Sequence, residues 1–123
     1  MSKPATNIPE RDRTIDYIEF GATDLEATKR FYAACFGWKF TDYGPDYVAF
    51  EDGRLTGGFT TESKPGAAPL VVLYASNLEQ IFASVQAQRG RIVREIFSFP
   101  GGRRFEFTDP AGNAVAVAHT RGR

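Results

Sequence analysis

The sequence contains one pattern of structural signals twice, and this duplication constrains the fold more than any other feature. The segments TDLE at residues 23–26 and SNLE at residues 76–79 both have the composition of a helix capping box, in which the Thr or Ser caps the helix. A helical apolar face follows each segment and ends at a glycine, Gly37 in the first copy and Gly90 in the second. Both copies therefore predict the same order of elements.

Each helix is expected to lie between one strand and a group of three strands. This order predicts two βαβββ modules, residues 14–61 and 70–120, joined by a linker at residues 62–69 into a single domain. The polar residues 1–13 are expected to form a mobile N-terminal arm. The alternative fold is a ferredoxin-like dimeric barrel, which repeats βαβ. Counting the strands after each helix distinguishes the two folds. The predicted strands are residues 15–20, 38–43, 47–51, 55–60, 70–74, 92–99, 104–108 and 114–119.

Three motifs resemble the glyoxalase/bleomycin-resistance/extradiol-dioxygenase group, also called the vicinal oxygen chelate superfamily. They are TDL at residues 23–25, FY at 31–32 with FGW at 36–38, and FTDPAGN at 107–113. The resemblance implies an α+β fold in which the two modules form a partly open, curled mixed sheet, with the helices on the outside. It also implies a concave interior that holds a ligand, a divalent metal ion in many of the enzymes, and a homodimer.

The metal-ligand positions of the family are occupied here by residues that do not suit a metal ion. Only Tyr17 among them has a donor atom, and a neutral phenol is a poor ligand for a divalent ion. The single histidine, His119, is expected to face solvent, and the single cysteine, Cys35, to pack in the core. We therefore expect no cofactor, with a metal site rebuilt from scattered carboxylates as the alternative. The four positions are Tyr17, Gly57, Leu70 and Ala116.

Strand alternation predicts which side chains face the concave interior. Phe20 and Phe105 suit the helix side of their strands, which leaves the neighbouring residues for the opposite side. Small residues, aromatic rings and a few polar groups there favour a small-molecule pocket over a filled core. No catalytic residue is assigned. The predicted ligand-binding residues are Tyr17, Glu19, Tyr47, Gly57, Phe59, Leu70, Val72, Tyr74, Arg104, Glu106 and Ala116.

Charge and composition narrow the classes of partner. Fifteen basic and fifteen acidic side chains balance, which argues against nucleic acid as a partner. No apolar run approaches the roughly 20 residues of a membrane-spanning helix, and no signal peptide is visible, so we expect a cytoplasmic protein. The resulting hypothesis is a metal-free, small-molecule-binding homodimer of this superfamily with an unknown ligand. The alternatives are a lactoylglutathione-lyase-like enzyme or dioxygenase with a displaced metal site, and a structural or partner-binding module whose interior is filled.

Overall fold

The computed structural model describes residues 11–120 and shows the βαβββ order twice. This order confirms the predicted α+β fold, and three strands after each helix exclude the ferredoxin-like alternative. Residues 1–10 of the predicted arm lie outside the described residues. The elements are β1 (Ile15–Gly21), α1 (Leu25–Phe36), β2 (Lys39–Asp42), β3 (Tyr47–Glu51), β4 (Thr56–Thr60), β5 (Leu70–Tyr74), α2 (Leu78–Ala87), β6 (Arg91–Phe99), β7 (Gly102–Thr108) and β8 (Ala114–Thr120).

The described chain forms two compact units. The first unit spans Tyr17–Leu70, and the second unit comprises the described residues before and after it. Strands of the first unit run in the order β2-β3-β4-β1, and those of the second in the order β5-β8-β7-β6. The pairs β1/β4 and β5/β8 are parallel and the other pairs within each unit are antiparallel, so the pairing is mixed. Neither helix in residues 11–120 is long and apolar enough to cross a membrane.

Both helices begin one residue later than the capping-box interpretation predicts. Asp24 is the N-cap of α1, and its carboxylate accepts a hydrogen bond from the Ala27 N–H at 3.0 Å. Asn77 caps α2 in the same way, accepting from the Gln80 N–H at 3.1 Å. The predicted Thr and Ser caps are therefore wrong. Asp and Asn are stronger caps than Thr, which favours the observed start of α1.

The two helices end differently, although both were predicted to end at a glycine. Gly37 takes a left-handed conformation with φ 73° directly after α1, as expected. At the end of α2 the left-handed residue is Arg89, with φ 69°, and Gly90 has no such φ. A Cβ on Gly90 would lie 2.5 Å from Val85 Cγ1, so this glycine is required for close packing rather than for ending the helix.

Each unit has its own apolar core, packed between its helix and its strands. The first core is largely aromatic, with Trp38 stacked on Phe50 at 4.5 Å and on Tyr32 at 4.6 Å between ring centroids. Cys35 is exposed, so its predicted place in the core is wrong. The buried residues are Ala22, Val48, Phe50 and Phe59 in the first core and Ala75, Leu78, Phe105 and Val117 in the second.

Candidate functional site

The pairing of β4 with its neighbours decides which residues of the first unit face its helix. Phe59 pairs with Phe20, and both pack beside α1, with the Phe59 ring 5.4 Å from that of Tyr32. Gly57 pairs with Phe50, and a Cβ on Gly57 would overlap the Phe50 ring. The predicted placement of Gly57 and Phe59 on the concave side is therefore wrong. A one-residue slip in counting from the turn before β4 exchanges the two faces of a strand.

The opposite face of the first unit carries a hydrogen-bonded tyrosine–glutamate cluster, formed by Tyr17, Tyr47 and Glu19. The Tyr47 hydroxyl donates to Glu19 Oε2 at 3.0 Å and is also hydrogen-bonded to the Tyr17 hydroxyl. Gly58 pairs with Glu19 and makes room for the cluster. A Cβ on Gly58 would overlap the Tyr47 hydroxyl and lie 2.7 Å from Tyr17 Oη. These three predicted residues are thus brought together on one face.

Burial, followed by the proximity of Tyr17 and Glu19, raises the pKa of Tyr47 above its usual range. Its phenol therefore keeps its proton at neutral pH and shares it with the Glu19 carboxylate. The Tyr17 and Tyr47 hydroxyls are hydrogen-bonded to each other, and either hydroxyl can be the donor. The result is a connected set of hydrogen bonds that joins two phenols and a carboxyl group, an arrangement able to orient a polar ligand.

In the second unit, the predicted residues lie on the face opposite α2. Phe105 and Val117 pair with each other and pack against α2, so the residues that alternate with them face the other way. Arg104 Nη2 lies 3.0 Å from Glu106 Oε2, and both side chains are largely shielded from solvent. The predicted residues on this face are Val72, Tyr74, Arg104, Glu106 and Ala116, whereas Leu70 is the last residue of the first unit.

Two residues near these faces were not predicted from the sequence. Gly58 follows Gly57 in the chain, and the adjacent pair gave no signal for choosing the glycine that makes room. The Arg11 guanidinium lies 3.9 Å from the centroid of the Tyr74 ring. Arg11 belongs to the polar stretch that was predicted to be an arm, where no periodicity marks a contact.

The donor chemistry does not fit the metal ion that the resemblance implies. Glu19 and Val72 occupy equivalent positions, because each lies five residues before the helix cap of its module, Asp24 or Asn77. Gly58 pairs with Glu19 and Ala116 pairs with Val72, so Gly58, and not Gly57, corresponds to Ala116. Within residues 11–120, no group of three His, Cys, Asp or Glu side chains could hold a metal ion. His119 was expected to face solvent, but it is half-buried, with Nδ1 2.9 Å from a backbone carbonyl oxygen.

Sequence comparison decides the family. Residues 14–117 match the family model described as the Glyoxalase/Bleomycin resistance protein/Dioxygenase superfamily. The chain belongs to this superfamily. The match covers both βαβββ modules and confirms the resemblance found in the three motifs. No curated protein matches the sequence.

Several solved structures are similar to the chain in fold. The Mn(II)-bound glyoxalase from Novosphingobium aromaticivorans is 23% identical with a TM-score of 0.66, and the match covers 89% of this chain but 39% of that one. A superfamily member from Vibrio splendidus 12B01 is 15% identical, TM-score 0.65, over 84% of this chain and 96% of that one. A variant methylmalonyl-CoA epimerase from Streptomyces coelicolor, in complex with 2-nitronate-propionyl-CoA, is 16% identical with a TM-score of 0.68. The match covers 90% of this chain and 99% of that one. At these identities the likeness concerns the fold alone.

Proposed function

We propose that this protein is a superfamily member that binds a small organic ligand without a resident metal ion. The observation that carries the proposal is the tyrosine–glutamate cluster, whose hydrogen bonds join Tyr17, Tyr47 and Glu19 on one face of the first unit. Gly58 makes room on this face, because any larger residue at this position would displace the two phenols. The cluster is the polar element that orients the ligand, and the aromatic rings supply contact area.

Two further observations support the proposal. The epimerase from Streptomyces coelicolor, which has a similar fold, is known in complex with a small organic ligand. The residues at the family's metal positions offer one phenol oxygen in place of the imidazole and carboxylate atoms that a divalent ion requires. The predicted ligand residues of the second unit, with the Arg104–Glu106 ion pair, remain a separate prediction for that unit.

Ligand binding is tested by nuclear magnetic resonance with a library of small fragments added to the isotope-labelled full chain. We expect fragments that shift the Gly58 amide in a saturable way, and we expect Tyr47→Phe to weaken them about tenfold, since a hydrogen bond to a charged network is lost. Tyr43→Phe is the matched control, because Tyr43 is 65% exposed and lies outside the cluster. If no fragment shifts the Gly58 amide, the binding proposal fails and the filled-module alternative is favoured.

Metal independence is tested separately. The protein is purified without chelator, and its content of zinc, nickel, manganese and iron is measured by mass spectrometry. We expect metal far below one ion per chain. Stoichiometric metal would contradict this part of the proposal and would favour the alternative, a lyase or dioxygenase with a displaced metal site.

The homodimer and the cytoplasmic location belong to the same proposal. Light scattering during gel filtration measures the mass in solution, and we expect twice the 13.6 kDa of one chain. A mass that stays at one chain over a wide concentration range would contradict the dimer. Fractionation of the producing cells tests the location.

A further inference from the structure

A cavity of about 390 Å³ opens on the α1 side of the first unit, away from the tyrosine–glutamate cluster. It lies where the end of β1, the start of α1 and the segment after β4 meet. Its volume falls in the range of about 300 to 1,000 Å³ that is typical of small-molecule sites, but it is a cleft open to solvent, so a ligand bound there stays partly exposed. Phe31, on its wall, is 55% exposed to solvent, which leaves an aromatic surface available to a ligand. Its main lining residues are Phe20, Asp24, Phe31, Tyr32, Phe59 and Pro65.

The wall that contains Pro65 is held in place by a close backbone contact. A Cβ on Gly21 would lie 2.7 Å from the Lys64 carbonyl oxygen, so the segment after β4 can pack this tightly only against a glycine. The same segment is anchored where it leaves β4, because the Thr61 hydroxyl donates to the Asp46 carboxylate at 2.9 Å. The cavity is therefore bounded by three anchored elements of the first unit.

The chemistry of the lining favours a positively charged aromatic ligand. Asp24 is the one acidic residue among the described lining residues, and the hydrogen bond from the Ala27 N–H fixes its position. The faces of aromatic rings also attract cations. The neighbouring Lys29 is not available to neutralise Asp24, because its ammonium group lies 2.9 Å from both Glu26 and Asp42.

We propose that this cavity is a second ligand site, which takes a small planar aromatic amine. The ring packs among the phenylalanine, tyrosine and proline side chains, and the ammonium group pairs with the Asp24 carboxylate. The proposal does not depend on the proposed function, because the two sites lie on opposite faces of the strands.

The test uses three probes of similar shape: tryptamine, indole and indole-3-acetate, which are cationic, neutral and anionic. Each is titrated into the isotope-labelled full chain while amide chemical shifts are recorded. We expect saturable shifts at Gly21 and Phe31, with tryptamine bound about two- to fivefold more tightly than indole, as for a solvent-exposed ion pair. Indole-3-acetate is expected to bind most weakly. Shifts at Gly58 would instead report the tyrosine–glutamate cluster.

Two variants separate the charge from the aromatic wall. Asp24→Asn keeps a good helix cap but removes the charge, so it should abolish the preference for tryptamine over indole. Phe31→Ala should weaken the binding of tryptamine and indole about three- to tenfold. Tyr43→Ala is its control, because Tyr43 is 65% exposed and does not line the cavity. The proposal is overturned if no saturable shift appears near Gly21, if indole-3-acetate binds as tightly as tryptamine, or if Asp24→Asn retains the preference.

Discussion

Replacing Gly58 with alanine is the most direct perturbation of the tyrosine–glutamate cluster. The added Cβ would overlap the Tyr47 hydroxyl and lie 2.7 Å from Tyr17 Oη, whereas real Cβ atoms keep at least 3.0 Å from such neighbours. The Tyr47 hydroxyl must therefore move by about 1 Å. Since its bond to Glu19 Oε2 is already 3.0 Å long, a shift of this size breaks the hydrogen bond.

The cost follows from the two hydrogen bonds that the Tyr47 hydroxyl makes. The bond between the phenols is neutral and contributes about 1 kcal/mol, and the bond to the carboxylate contributes about 1.5–3 kcal/mol. Alanine offsets about 0.4–1 kcal/mol of this loss, because it restricts the unfolded chain more than glycine does. We expect Gly58→Ala to lower the free energy of unfolding by about 2–3 kcal/mol, which corresponds to a fall in Tm of about 10 °C for a chain of this size.

Urea unfolding, followed by the fluorescence of Trp38, measures this loss. Trp38 is the single tryptophan, and it stacks on Phe50 in the core of the first unit. In a Tyr47→Ala background, Gly58→Ala should lower the free energy of unfolding much less, because the tyrosine side chain that the new Cβ overlaps is absent. An equal loss in both backgrounds, or no loss in either, would refute the reasoning.

Two further predictions concern single residues. The Asp109 carboxylate accepts hydrogen bonds from the backbone N–H and, with a smaller effect, the side-chain amide of Asn113, which hold the pKa of Asp109 below its usual value. The carboxylate therefore stabilises the fold at pH values above its unfolded pKa. This contribution is lost as the pH falls through the folded pKa. Carboxyl carbon shifts recorded against pH should show the low midpoint, and Asn113→Ala should raise it. Arg89→Gly should stabilise the protein by about 0.5–1 kcal/mol in urea unfolding, because Arg89 has a left-handed φ of 69°, whereas Gln88→Gly, at φ −92°, should destabilise it.

The order of elements could be predicted from the sequence because it depends on local signals that occur twice. Capping residues, apolar periodicity and Gly37 act within a few residues of the chain, and each helix was found within a residue or two of its expected start. The errors arose where two neighbouring residues could serve the same purpose. Asp24 was preferred to the adjacent threonine as a cap, and Arg89 took the left-handed conformation that Gly90 was expected to adopt.

The candidate site was harder to predict because strand faces depend on register, which non-local pairing sets. Tyr17 and Glu19 were expected on the face opposite Phe20, and Phe20 does pack in the core, because the apolar side chain of Phe20 suits the helix side although the alternation of this strand is weak. In β4 the sequence TGGFT has two adjacent glycines and no alternation, so counting from the preceding turn selected Gly57 where Gly58 makes the room. The contact between Arg11 and Tyr74 joins residues far apart in the chain and left no local pattern.

The parallel pairing of β5 with β8 also has a consequence for synthesis. Leu70–Tyr74 is an uninterrupted apolar strand, and the strand with which it pairs in parallel begins about 40 residues later, at Ala114. At about 5–20 residues per second, the ribosome needs roughly 2–8 s to add the intervening chain. During that interval β5 lacks this partner, so the nascent chain exposes an unpaired apolar strand edge and is prone to aggregate until β8 is made.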